Sequence, residues 1–297
     1  MRFSHRIQYC SLIAFTWLLC RLPYRWALGV GSAIGRLGWA LGVRKRLVLE
    51  NLARAMPDAS QPERRRVAAL AARNFGRTIT EFIRLGIKDR HRIPELVKIR
   101  GLEPLRQALA DGKGAILLTG HQGSWAIYFA AIAFEGIPLS LLVGKQHNQK
   151  VDAFIHRIPG DRVEFISKGR LAIKKILSKL NEGRAVVMVA DQHAGKAGIM
   201  VPFLGEETPT LALPGSFAVK YDVPVFVMHG FREENDRHQV EIFPLRPSGP
   251  SESKDPKTEI VRRYNEEMGA IVKTRPEQYF WYHRRWRPED KPATEDS

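Results

Sequence analysis

A chain of 297 residues, 44% of them hydrophobic, is long and apolar enough to fold around one substantial core; it is no disordered segment and has no need of a second large domain. Its formal charge of +16, from 47 Lys and Arg against 31 Asp and Glu, directs attention to an anionic partner: a membrane surface, an acidic substrate or nucleic acid. The two cysteines, Cys10 and Cys20, share one apolar stretch at a spacing no zinc site uses, so neither a disulfide framework nor a metal centre is indicated.

Residues Tyr9–Cys20 carry no charge and follow Arg2, His5 and Arg6. A signal peptide would continue into a small-residue cleavage site, but Arg21-Leu22-Pro23-Tyr24-Arg25 stands there instead. The run is also short of the ~20 apolar residues of a membrane span. A second weakly polar stretch, Trp26–Val43, has Arg36 as its one charge and the pairs Gly31/Gly35 and Gly38/Gly42, which suit close helix packing in lipid. Arg44-Lys45-Arg46 then supplies cations suited to anionic headgroups. Residues 1–45 are therefore expected to anchor the chain in a membrane, either spanning it or lying in its interface. A buried core hairpin is the other arrangement this pattern permits.

Arg46–Met56 reads as a short amphipathic helix stopped by Pro57, and Glu63–Leu85 as a longer one with apolar residues at helical spacing. Beyond Val97 short apolar runs alternate with helical segments. Strands are predicted at Ala115–Thr119, Leu139–Val143, Val163–Ile166, Ala185–Ala190 and Val225–Gly230, and helices at Leu102–Asp111, Ser124–Phe134, Gln149–Ile158, Leu171–Asn181 and Leu211–Tyr221. Such alternation predicts an α/β fold, a largely parallel sheet flanked by helices, over residues 46–292. Gln239–Phe243 reads as a late edge strand, Arg246–Pro256 as a surface loop, Lys257–Lys273 as a final helix and residues 293–297 as a flexible tail.

The most informative stretch is Ala115-Ile-Leu-Leu-Thr-Gly-His121-Gln-Gly-Ser-Trp-Ala126. Ligands of parallel α/β sheets bind outside the carboxyl ends of strands, and His121 stands at such an end, with Ser124 placed to cap the helix that follows. A strand-end histidine of this kind is also compatible with a purely structural role. Asp191 ends another buried run; its carboxylate is expected either to face the cleft, where it could pair with an arginine, or to cap its own loop. His121, Asp191 and His193 lack the spacing of metal ligands. No Gly-x-Ser-x-Gly elbow supports covalent serine catalysis, and Gly120 and Gly123 do not make a dinucleotide fingerprint. The basic charge comes with no nucleic-acid recognition motif, so nucleic acid is not an expected partner.

Four ordered blocks carry a resemblance that runs nearly the whole chain. Asn51-Leu52, Pro57, Glu63, Gly76 and Glu81 form the first, and His121-Gln-Gly-Ser-Trp-Ala126 the second. Asp191-Gln192-His193 with Val201-Pro-Phe203-Leu-Gly205 and Thr210 makes the third, and Trp281-Tyr-His283-Arg284-Arg285-Trp286 the fourth. Together they resemble the lipid A biosynthesis (late) acyltransferases, within the glycerolipid acyltransferases that carry a His-x4-Asp/Glu motif.

The resemblance implies that His121 is a general base, deprotonating an acceptor hydroxyl as it attacks an acyl thioester, with an acidic residue five positions on orienting the imidazole. That position is Ala126, so the acidic partner is expected to be missing and activity impaired. An introduced Glu→Ala change accounts for this better than a natural non-catalytic paralogue, because every other block is kept. The resemblance further implies catalytic participation by Asp191 and substrate contacts by Arg157, Gln192, Phe203, Gly205, Thr210, Arg284 and Arg285. Backbone N–H groups near Gly123 are the expected oxyanion donors. Neither metal nor organic cofactor is implied. The implied donor is acyl carrier protein, and the implied acceptor is a glycolipid precursor of lipid A at the cytoplasmic face of an inner membrane. The alternatives are acylation of a lysophospholipid, an ornithine lipid or a mannosylated inositol lipid, or a non-catalytic lipid-binding role.

Overall fold

The computed structural model describes residues 3–144, 148, 150, 152–153, 163–245 and 255–287, with side chains from residue 9 onward. Most of the predicted helix Gln149–Ile158 and of the predicted loop Arg246–Pro256 lies outside them, as does Arg157.

Four helices open the chain: α1 (Phe3–Arg21), α2 (Tyr24–Ala40), α3 (Lys45–Ala55) and α4 (Gln61–Ile87). The last begins where Ser60 accepts the Glu63 backbone N–H, with Glu63 itself favourably placed in the first turn. Its 27 residues extend about 40 Å. The corner between α1 and α2 is closed by buried Arg84 of α4, which donates to the Leu19 and Leu22 carbonyls and to Asp89. A guanidinium here satisfies carbonyls that the end of α1 leaves without helical partners.

Gly31 and Gly35 make a close helix contact, and the partner is α4. They let α2 lie directly on α4, where a Cβ at Gly31 would overlap the Gly76 carbonyl and one at Gly35 that of Ala72. Gly42 meets nothing of the kind, and Gly38 faces only Val43. Among the described residues no helix is long and apolar enough to cross a membrane.

The rest of the chain builds one sheet from β1 (Val97–Arg100), β2 (Ala115–Thr119), β3 (Leu139–Val143), β4 (Val163–Ser167), β5 (Ala185–Val189), β8 (Val225–Arg232) and β9 (His238–Pro244). The order is β1-β9-β8-β2-β5-β3-β4, with every pairing parallel except β8 with β9. The predicted late edge strand is thus corrected: β9 is interior, because the short, polar Val97–Arg100 pairs beyond it. A separate hairpin, β6 (Ile199–Phe203) and β7 (Glu206–Thr210), turns through Leu204 and Gly205, both at positive φ.

Alternate residues of β2 and β5 point into two cores. Ile116, Leu118, Val186 and Met188 join a cluster with α8 (Ala172–Asn181), α9 (Leu213–Tyr221) and α10 (Pro256–Thr274). Ala115, Leu117, Ala185 and Val187 join another with α5 (Ile93–Leu96), α6 (Leu102–Ala110) and α7 (Trp125–Phe134). The long α4 contributes Ala68 and Ala71 to the first core and Leu85 to the second.

Candidate active site

Register brings the two central side chains together. Strands β2 and β5 are parallel neighbours with Thr119 opposite Val189, so the residues two positions beyond each strand, His121 and Asp191, leave the sheet at the same height. His121 Nδ1 lies 2.8 Å from Asp191 Oδ1, and the His121 backbone N–H donates to Oδ2 at 2.8 Å. Gly120 makes this approach possible, since a Cβ there would sit 3.1 Å from Asp191 Oδ2 and 2.8 Å from Met268. The expectation that His121 lacks an acidic partner is therefore corrected. Ala126 sits in the first turn of α7, and the carboxylate comes from the next strand instead.

Asp191 is buried, which by itself raises its pKa. The adjacent His121 imidazole, the two hydrogen bonds from that residue and the charge of Arg285 outweigh burial and hold the carboxyl below its ordinary range. With Nδ1–H directed at a carboxylate, the imidazole presents unprotonated Nε2 to the cleft. Trp125 packs edge-on to the ring with centroids 5.0 Å apart, and Phe280 lies at 5.8 Å. The Gln192 carboxamide nitrogen stands 3.4 Å from Nε2.

Residues 121–124 are clamped from two sides. The Phe280 N–H donates to the His121 carbonyl, the Gly123 N–H to the Gln278 carbonyl, and the Thr78 hydroxyl to the Gly123 carbonyl. Gly123 holds φ +58 against Gly230 and Tyr128, a backbone that L side chains disfavour and a space that none fits. Its N–H is committed to Gln278 and is not the oxyanion donor the sequence suggested. Ser124 does not cap α7; its hydroxyl donates to Glu81 Oε2 at 2.7 Å, and its N–H to Tyr128 Oη at 2.9 Å.

Glu81 anchors this support. Fully buried, it receives Arg232 through two nitrogens, the Tyr24 hydroxyl at 3.3 Å and His238 Nε2 at 3.2 Å. Burial raises its pKa, but the charge of Arg232 and the hydrogen bonds from Arg232 and His238 hold it well below the usual carboxylate range. Sequence placed Glu81 in a motif without assigning it a role.

The other expected substrate residues divide. Arg285 is buried, donating to the Gln192 and Pro209 carbonyls and to Thr210 Oγ1, with its guanidinium over Phe203. Arg285, Thr210 and Phe203 therefore fix the loop that carries Asp191. Gly205 belongs to the hairpin turn beside Arg54 and Glu206. Arg284 is exposed. His283, which sequence placed in a motif without a role, accepts the His193 N–H through Nε2 at 3.1 Å. Burial is the main cause that pushes its pKa down to about 4, so the ring stays neutral and able to accept.

An apolar chamber of about 500 Å³ opens beside the site, lined by Phe15, Ile34, Gly38, Phe75, Ile79, Phe280 and Tyr282, with Arg44 at its margin. Phe280 is the shared wall, facing both the chamber and His121.

Known proteins are similar to this chain in sequence. A lipid A biosynthesis acyltransferase of Haemophilus influenzae is 27% identical, covering 91% of this chain and 84% of that one. The phosphatidylinositol mannoside acyltransferase of Mycolicibacterium smegmatis is 25% identical, covering 91% and 88%. The lipid A biosynthesis lauroyltransferase of Escherichia coli K12 is 22% identical, covering 95% and 92%. The solved 1-acyl-sn-glycerophosphate acyltransferase PlsC of Thermotoga maritima aligns over 82% of this chain and 98% of its own at 15% identity, with a TM-score of 0.35, too low to bear on the fold. Residues 2–288 match the family model described as bacterial lipid A biosynthesis acyltransferase, a span that takes in the helical roof, both strand-end residues and the buried C-terminal arginine; the chain belongs to that family.

Proposed function

We propose that this chain transfers a fatty acyl group from a carrier-bound thioester to a hydroxyl of a lipid A precursor, with His121 as general base and Asp191 as its orienting carboxylate. The His121–Asp191 contact carries the reading. Nε2 removes the proton of the acceptor hydroxyl as its oxygen bonds to the thioester carbonyl carbon. Asp191 stabilises the imidazolium. The tetrahedral intermediate then collapses to the ester, and the departing sulfur takes the proton back from Nε2. The Trp125 and Ala126 N–H groups at the start of α7, which receive no side-chain cap from Ser124, replace Gly123 as oxyanion donors. The chamber behind Phe280 receives the acyl chain.

On this reading Ala126 does not disable the enzyme. Purified protein given an acyl carrier protein thioester and a lipid A precursor is expected to yield acylated product by mass spectrometry, and His121→Ala none. A product that persists in His121→Ala would sink the assignment. A mannosylated inositol lipid is the second acceptor to assay, motivated by the mycobacterial relative; transfer to it alone would move the acceptor and leave the dyad standing.

The same reading places the chain on the cytoplasmic face of an inner membrane, held in the interface. Trp17, Trp26, Leu37 and Leu41 are exposed on α1, α2 and the turn after α2, among Arg21, Arg25, Arg36 and Arg44. Exposed indoles beside arginines suit the headgroup layer. Sedimentation with anionic vesicles is expected to fall sharply in Trp17→Ser/Trp26→Ser; undiminished binding would contradict this face.

A further inference from the structure

A second strongly basic surface lies at the carboxyl edge of the sheet, beyond β4. Between Glu164 and Glu182 the sequence has no acidic residue and five cations: Lys168, Arg170, Lys174, Lys175 and Lys179. Lys179 is held by Glu164 and Glu182. The other four are exposed and have no carboxylate partner among the described residues. Leu171 and Ile173 stand among them, 64% and 51% exposed. Two bare aliphatic side chains ringed by unpaired cations form a surface that water alone does not explain.

Its position gives it a use. The turn after β4 and the first residues of α8 carry the patch, and β4 runs parallel to β3, which pairs with β5, so the patch lies at the edge where His121 and Asp191 emerge. At ~4.8 Å per strand, β4 stands about 10 Å from β5 and about 14 Å from β2, within reach of a flexible pantetheine arm. The patch holds no Trp or Tyr, the residues that mark the α1–α2 face as interfacial, so a protein fits it better than a lipid surface.

We infer that Lys168, Arg170, Lys174 and Lys175, with Leu171 and Ile173, form the docking face for an acidic, helical carrier protein that delivers the acyl thioester to His121. This rests on the proposal above that the donor is carrier-bound. Acidic side chains of the carrier meet the four cations and steer its approach, and an apolar ridge of its helix covers Leu171 and Ile173.

The test compares two donors on the full chain: acyl carrier protein thioester and the same acyl group on free pantetheine. Charge reversal at four positions (Lys168→Glu, Arg170→Glu, Lys174→Glu, Lys175→Glu) is expected to raise KM for the carrier thioester on the order of tenfold or more. Turnover of acyl-pantetheine should stay unchanged, and added salt should narrow the difference. The milder Lys174→Ala/Lys175→Ala variant should raise the carrier KM in the same direction, which keeps the test informative if the reversal variant folds poorly. An unchanged carrier KM in both variants would overturn the docking face while leaving the donor reading intact. An equal rise for both donors, with loss of vesicle binding, would make the patch a lipid surface and overturn it too. Parent protein that uses both donors equally well would refute the carrier reading, and this inference with it.

Discussion

Asp191→Asn is expected to lower kcat by about 10³–10⁴-fold with little change in KM, the size of effect seen when a catalytic histidine loses its orienting carboxylate. Asparagine keeps the volume and still accepts the His121 backbone N–H, so the loop should hold its place. What it lacks is the charge that fixes the Nδ1–H tautomer and balances the imidazolium formed on proton abstraction. Ala126→Glu in the parent protein should change kcat by no more than a fewfold, because Nδ1 already has its partner. A large gain from that replacement would mean that the partner seen in the structure is not the one that works.

Glu81→Ala is expected to destabilise the fold by about 3–5 kcal/mol, since it leaves the guanidinium of Arg232 buried without its counter-charge. Arg232 and Glu81 are both almost wholly inaccessible, and Arg232 also reaches Asn74 and Thr78. Chemical denaturation of Glu81→Ala, Arg232→Met and a Glu81→Leu/Arg232→Met double variant checks this. The double variant should recover much of the loss, because an apolar pair leaves no stranded charge. If Glu81→Ala costs under about 0.5 kcal/mol, within the range of ordinary surface substitutions, the buried pair is not what holds α4 to β8. The surviving folded fraction of Glu81→Ala should also transfer acyl groups more slowly, as Ser124 loses the acceptor that holds residues 121–124.

Strands buried on both faces were legible because four of the five side chains in each are apolar: Ala115–Thr119 and Leu139–Val143 match their predicted bounds. The short β1 alternates apolar with basic residues, and β6 and β7 carry Pro202, Pro209 and two glutamates, so none stood out as a strand. His121 was legible from its strand end and its motif. Its pairing with Asp191 was not, because it depends on which of several parallel strands sits beside β2, and hydrophobic runs do not encode strand order. Arg285 illustrates the same limit. Charge and motif suggest a ligand contact, whereas burial against Gln192, Pro209 and Thr210 makes it a brace. Gly31 and Gly35 signalled a close helix contact correctly, but not that the partner would be α4.

The central claim is that Asp191 acts through His121 and residue 126 does not. The most direct measurement is kcat for acyl transfer by His121→Ala, Asp191→Asn and the double variant. A dyad predicts that the double variant is no slower than His121→Ala, since a carboxylate without its base has nothing left to orient. Losses that multiply, or an Asp191→Asn enzyme with near-parental kcat, would contradict it.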